Sequence, residues 1–253
     1  MERLPDLAAE LVRLKVDVLV AQGGLAVGAA RQTTSTIPIV IGLAAGDAVA
    51  MRWIESLARP GGNVTGLSDE SVQLSAKRME LLKEAVPKAA RIAVLWNAND
   101  QGMTLRYQEI EKAAQILRVE VQALGVREPD DFDVAFSTMT RRRPDAMFLV
   151  ADALTMLNRK RVIEFAATHR IPAMYEASFI VRDGGLMSYG PSQEESLRQA
   201  AFYIDRILKG AKPADLPAQQ PTAYSLAVNL KTAATLGLTI PPSLRVRADD
   251  VIE

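Results

Sequence analysis

The chain has 253 residues, 49% of them hydrophobic, and its 30 Lys+Arg are balanced by 30 Asp+Glu. This length holds one large or two small domains with a real core, and the charge balance argues against a nucleic-acid binder, which shows a net basic surface. The lack of cysteine excludes disulfides, thiolate metal sites and cysteine nucleophiles, although a cysteine-free chain suits cytosol and periplasm alike.

No apolar run approaches the ~18 residues of a membrane span, and Met1-Glu2-Arg3-Leu4-Pro5-Asp6 lacks the apolar core of a signal peptide. Leu4, Leu7, Ala8, Leu11 and Val12 recur at helical spacing, with Pro5 and Asp6 as N-terminal signals. A short β-branched strand is expected at Val16 to Ala21, ending at Gly23-Gly24. An alanine-rich helix follows from about Leu25 to Thr34. Ile37 to Leu43 reads as a buried strand, with Pro38 tolerated only at its start. A third helix is expected from Ala48 to Ala58, stopping before Arg59-Pro60-Gly61-Gly62.

The alternation then repeats. Ser68 or Asp69 caps a helix with Val72, Ala76, Met79 and Leu82 turned inward. Strands are expected at Arg91 to Trp96, Val119 to Leu124, Ala146 to Ala151, Ile171 to Tyr175 and Gly185 to Tyr189. Helices are expected from Gly102 to Leu117, from Asp131 to Arg142, up to His169, and from Glu194 to Leu208. After the proline-spaced connector Gly210 to Pro221, a strand near Tyr224 to Val228 and short helices around Lys231 and Leu244 complete the pattern. Short apolar strands alternating with helices mean βαβ units and parallel sheet, so the predicted class is α/β with two doubly wound, Rossmann-like lobes.

Ligands of open parallel sheets sit beyond the carboxyl ends of the strands. Here those ends are Gln22-Gly23-Gly24-Leu25 and Ala44-Ala45-Gly46-Asp47, then Asn97-Ala98-Asn99-Asp100, Asp152-Ala153 and Tyr175-Glu176. Amides, carboxylates, a ring and glycine-exposed amides suit recognition of a small molecule, and helix N-termini at Leu25 and Ala48 suit an anion. Each residue also has a plainer reading. Gly23 and Gly24 allow a tight turn, Asp47, Asp100 and Asp152 stand where caps are useful, and Tyr175 is either a stacking wall or core. Trp96 continues the Ile92/Val94 face and belongs to packing. His169 reads as a partner of a helix dipole, and Arg141-Arg142-Arg143 as a solvated face. Nucleotide-binding glycine patterns and the G-x-S-x-G elbow are absent, and one histidine builds no His-based metal site.

Several longer segments carry a family resemblance. These are Leu4-Pro5-Asp6-Leu7-Ala8-Ala9-Glu10-Leu11-Val12, Ser35-Thr36-Ile37-Pro38-Ile39-Val40, Leu57-Ala58-Arg59-Pro60-Gly61-Gly62-Asn63-Val64-Thr65-Gly66-Leu67-Ser68, Gly184-Gly185-Leu186-Met187-Ser188-Tyr189-Gly190-Pro191, Asn229-Leu230-Lys231-Thr232-Ala233, and Leu236-Gly237-Leu238-Thr239-Ile240-Pro241-Pro242-Ser243-Leu244. The chain resembles the solute-binding proteins of bacterial ABC importers, in the subfamily with tryptophan- and other aromatic amino-acid-binding members. The resemblance implies a periplasmic-binding-protein type I fold, with residues 1–67 plus 187–227 in one lobe and 68–186 plus 228–253 in the other. Three crossings are expected near Thr65–Ser68, Leu186–Tyr189 and Tyr224–Asn229, and glycines around the first two permit hinge motion.

The resemblance further implies no catalytic residues, no cofactor, a periplasmic location, and a permease and ATPase as separate partner chains. Ligand held in the cleft would favour a closed form. The expected ligand contacts are Gly23, Gly24, Gly46 and Asp47 on one wall, Asn97, Asn99, Asp152, Tyr175 and Glu176 on the other, and Ser68 and Ser188 near the crossings.

Three departures stand out. Family members carry a secretion signal, then a strand, a helix and a second strand before the segment matching Leu4-Pro5-Asp6. A chain without them reads as a fragment or a misplaced start, and leaves Val16–Ala21 with an unpaired edge. The family also often has a hydroxyl-bearing loop at Gln22-Gly23-Gly24-Leu25, and Gly-Asp-Pro where Gly46-Asp47-Ala48 stands. The rival functions are a ligand-sensing module of the same fold that signals to a partner protein, and a nucleotide-dependent enzyme on a similar sheet.

Overall fold

A computed structural model describes residues 3–43, 46–68 and 71–253. In chain order the elements are α1 Leu4–Arg13, β1 Leu19–Gln22, α2 Gly24–Thr33, β2 Ile39–Leu43, β3 Val64–Gly66, α3 Ser71–Ala85, β4 Arg91–Asn97 and α4 Gln101–Ile116. Next come β5 Glu120–Val126, α5 Asp131–Arg141, β6 Ala146–Leu149, α6 Ala153–Leu157, α7 Arg159–Thr168, β7 Ala173–Tyr175, α8 Ser178–Arg182 and β8 Met187–Pro191. The chain closes with α9 Gln193–Leu208, β9 Tyr224–Asn229, α10 Leu230–Leu236, α11 Pro242–Arg247 and β10 Asp250–Ile252. These elements form two compact units, Met1–Ser71 with Pro191–Ala223, and Val72–Gly190 with Tyr224–Glu253.

The first unit is built on a parallel sheet in the order β1-β2-β3. Alternation along the strands divides its core between two faces. Leu19, Ala21, Ile39 and Ile41 pack against Val27 and Ala30 of α2 and against Trp53. On the other face Val40 meets Ala200, Tyr203 and Ile207 of α9. Gly66 closes the sheet on β2 with φ +118°, and a Cβ there would lie 2.4 Å from the Ile41 carbonyl oxygen, so no other residue fits. On its outer side β1 meets no strand among the described residues, and Val20 on it is 51% exposed.

The helix expected from Ala48 to Ala58 is a folded loop. Winding begins with Met51 N–H donating to the Asp47 carbonyl, but Trp53 and Ile54 both donate back to Ala48, five and six residues earlier. Arg52 sits at φ 56°, which ends the right-handed turn. Glu55 N–H and the Pro60 carbonyl then close the loop at 3.0 Å. The apolar residues that imitate a helical stripe serve this loop: Ala48, Trp53 and Ile54 are buried in the sheet's core.

The second unit carries seven strands in the order β10-β9-β8-β7-β6-β4-β5. Helices cover both faces. Residues from α3, α4, α10 and α11 fill one core, and α5, α7 and α8 contribute to the other. Residues 187–190 and 224–227, expected with the first lobe, belong here. Ser188 of β8 is paired with Tyr175 of β7, and Ala227 of β9 with Asp250 of β10. Gly190 in β8 presses on the next strand's end: a Cβ at this position would fall 2.0 Å from the Glu176 carbonyl oxygen. No helix among the described residues is long and apolar enough to cross a membrane.

Candidate ligand-binding site

The strand ends of the second unit hold two polar clusters. In the first, Asn97 closes β4 and is fully buried. Its Nδ2 donates to Asp152 Oδ2 at 2.5 Å, and its Oδ1 accepts from Asn99 N–H at 3.0 Å. Asp152 uses its other oxygen to accept from Thr155 N–H at 2.9 Å, while Thr155 Oγ1 accepts from Asp152 N–H, a capping box that starts α6. Asp100 caps α4 by accepting from Gly102 and Met103 N–H groups. Three of the expected contacts, Asn97, Asn99 and Asp152, are thus joined in one hydrogen-bonded group, and both aspartates also act as caps.

The second cluster centres on Glu176, which follows β7 and is 7% exposed. Its Oε2 accepts from Arg106 of α4 at 2.9 Å, and its Oε1 lies 3.4 Å from Arg78 of α3. Arg78 also donates from Nε to the Tyr189 carbonyl of β8 at 2.6 Å. Charges buried this deeply persist only when paired. One carboxylate between two guanidiniums therefore ties α3, α4, β7 and β8 together. Sequence reasoning overlooked Arg78 and Arg106, yet a signal exists. Ser75, Arg78, Met79 and Leu82 follow the i, i+3, i+4, i+7 pattern of a buried face, as do Met103, Arg106 and Ile110 in α4. An arginine inside such a stripe requires a buried acid.

Tyr175 faces the other way. Adjacent strand residues alternate between faces, so its ring enters the core beside Ile163, Ala173 and Ile180 and is 1% exposed. A Cβ on Gly185 would lie 2.7 Å from this ring, so the glycine makes room for it. Burial pushes the phenol well above the usual tyrosine range. The stacking-wall reading of Tyr175 is therefore corrected to core packing. Ser188, its strand neighbour, is 1% exposed, and its hydroxyl has no hydrogen-bond partner among the described residues.

In the first unit Gly23 precedes α2 with φ 80° and ψ 149°, a conformation open to glycine alone. Its carbonyl accepts from Val27 N–H, and Gly24 is the first helical residue. Gly46 has φ +108°. Asp47 Oδ1 accepts from Val49 and Ala50 N–H groups at 2.9 and 3.0 Å. Ser68 is buried and its Oγ accepts from Ala48 N–H at 3.0 Å, so it helps to fix this same turn. Asp69, the other expected cap, and Ala44-Ala45 lie outside the described residues.

Two parallel α/β units with polar strand ends define a periplasmic-binding-protein type I fold. The model of the ABC transporter substrate binding protein family matches residues 2–252, and the chain belongs to that family. It is 26% identical over 239 residues to the tyrosine-binding protein of Clostridioides difficile strain R20291, covering 94% of this chain and 68% of that protein. The crystal structure of an ABC domain in complex with L-Trp from Streptococcus pneumoniae superposes with a TM-score of 0.90 at 26% identity, over 99% of this chain and 84% of that one. A conserved domain protein from Vibrio cholerae gives 0.89 at 26% identity, over 98% and 82%.

Proposed function

We propose that this chain captures an aromatic amino acid, or a related small carboxylate compound, in the periplasm and delivers it to a membrane permease powered by a separate ATPase, without transforming it. The reading is carried by the likeness along almost the whole chain to a structure solved with L-Trp, and supported by the relative named for tyrosine. The proposed contacts are Gly23, Gly24, Gly46, Asp47 and Ser68 from the first unit, and Asn97, Asn99, Asp152, Glu176 and Ser188 from the second. Tyr175 acts behind them as packing.

The chemistry of these groups favours holding over bond-making. The Asn97–Asp152–Asn99 group offers amides and a carboxylate in fixed orientation, which suits the ammonium and carboxylate of an amino acid. The amides at the start of α2 favour an anion.

Thermal unfolding with and without L-Trp, L-Tyr and nucleotides tests the proposal. At a hundredfold excess over Kd a ligand that binds only the folded chain stabilises it by about 2.7 kcal/mol. A shift with the aromatic amino acids and none with nucleotides is expected. Stabilisation by nucleotides alone would overturn it.

A further inference from the structure

We infer that the end of the second unit where its strands begin is a docking face for an anionic phospholipid surface. The inference does not depend on which ligand the chain carries. β5, β4, β6 and β7 are parallel neighbours, so the segments that lead into them, 86–90, 117–119, 142–145 and 169–172, lie side by side over about 15 Å. Hydrogen bonds join them into one surface. Asp145 accepts from the Ala90 and Arg91 N–H groups at 2.8 Å, Arg91 Nη1 donates to the Arg143 carbonyl at 3.4 Å, and Arg143 Nη2 donates to the His169 carbonyl at 2.9 Å. The whole face comes from the middle of the sequence, away from either end.

Positive charge collects here although the chain as a whole is neutral. Glu120 is held between Arg91 and Arg142, and Asp145 is taken up by backbone amides. Lys88, Arg118, Arg141, Arg143 and Arg170 are exposed and meet no carboxylate among the described residues. The face thus sets seven cations against two acids. At its flanks Glu84 is paired with Arg247, Asp183 with Arg159 and Arg182 with Asp250, and the exposed Glu164 stands a turn back from the end of α7. Cations at such an edge also complement helix C-termini, and Arg143 does cap the His169 and Arg170 carbonyls. Four helices, α3, α4, α5 and α7, end here, and about −0.5 charge from each offsets less than half of the excess. Two features select phospholipid over another polyanion. Six of the seven cations are arginines, whose forked guanidinium matches phosphate oxygens. Apolar surface is interleaved with them: Ile116, at the end of α4 and two residues before Arg118, is 83% exposed, and a cavity of about 290 Å³ beside Arg143 and Arg170 has Met139 and Ile171 in its wall. Headgroups above an acyl layer offer both chemistries, whereas a nucleic-acid backbone offers only the phosphates. Held by this face, the chain stays beside the membrane of its proposed permease, and the polar strand ends at the other end of the unit stay clear of it.

Co-sedimentation of the whole chain with vesicles tests this. The chain should pellet with vesicles of phosphatidylcholine mixed with phosphatidylglycerol, stay in solution with phosphatidylcholine alone, and be released as salt screens the contact. Each cation near an anionic surface is worth about fivefold in partitioning, so Arg118→Ala, Arg141→Ala and Arg170→Ala together should weaken binding about a hundredfold. That variant should keep the parent's circular dichroism, because none of the three side chains holds a carboxylate. Ile116→Ser should weaken binding at unchanged charge. Arg127→Ala, Lys160→Ala and Arg245→Ala together remove the same charge from elsewhere on the unit and should have a far smaller effect. No pelleting with the anionic vesicles at low salt, equal loss in the two triple variants, or full binding by Ile116→Ser would each overturn the proposal. Displacement by glycerol phosphate at the concentration of the lipid headgroups would mark a small-anion site, and tighter retention by duplex DNA or polyglutamate a different partner; either result would also overturn it.

Discussion

Glu176 concentrates more buried charge around itself than its place in the sequence suggests. It faces Arg78 and Arg106 at side-chain exposures of 0% and 1%, and is itself 6% exposed. Removing one partner of such a set costs far more than the intact set contributes. Glu176→Gln keeps the size and removes the charge, and should destabilise the chain by about 3–5 kcal/mol in urea unfolding. A loss under 1 kcal/mol would show that the arginines do not depend on this carboxylate. Tyr175→Ala separates core from site. The ring is buried among apolar neighbours, so its loss should cost about 3–5 kcal/mol of stability. Measured on the folded fraction by calorimetry, affinity for an aromatic amino acid should stay within about twofold, a change under 0.5 kcal/mol. A large drop in affinity with little loss of stability would return the ring to the ligand.

Secondary-structure elements begin where short polar side chains catch free amides, and Asp100 shows this most simply. Its carboxylate accepts from two N–H groups at the start of α4, and Asp100→Ala should cost about 1 kcal/mol, read from the midpoint of chemical unfolding. An unchanged midpoint would mean that water replaces the cap. The long helices were legible because their apolar residues repeat cleanly, as at Phe132, Ala135 and Met139 of α5. The loop after Asp47 was not. Its alanines and apolar residues match a helix locally, and only Arg52's left-handed backbone and the contacts of Trp53 with the sheet break it. Such tertiary contacts leave no trace in a periodic pattern. For the same reason α8 and β10, five and three residues long, are too short to carry a period.

Across the whole molecule, topology was easier to read than side-chain direction. The strand ends follow from alternation, and Asn97, Asn99 and Asp152 do come together at them. Whether a strand-end residue points toward a ligand or into the core depends on register, and a shift of one position exchanges the two faces. That is why Tyr175 and Glu176, adjacent in sequence, enter opposite sides of the sheet. Arg78 and Arg106 were hidden because charged residues on helices are usually solvated. The two tryptophans of the chain have a practical consequence: Trp53 lies in the first unit and is 7% exposed, and Trp96 lies in the second, stacked 3.9 Å from the Tyr107 ring. Each half of the molecule therefore contains one tryptophan in its own surroundings. Trp53→Phe leaves tryptophan emission from the second half alone, and Trp96→Phe from the first, so with selective tryptophan excitation the melting of each half can be followed without attaching a dye.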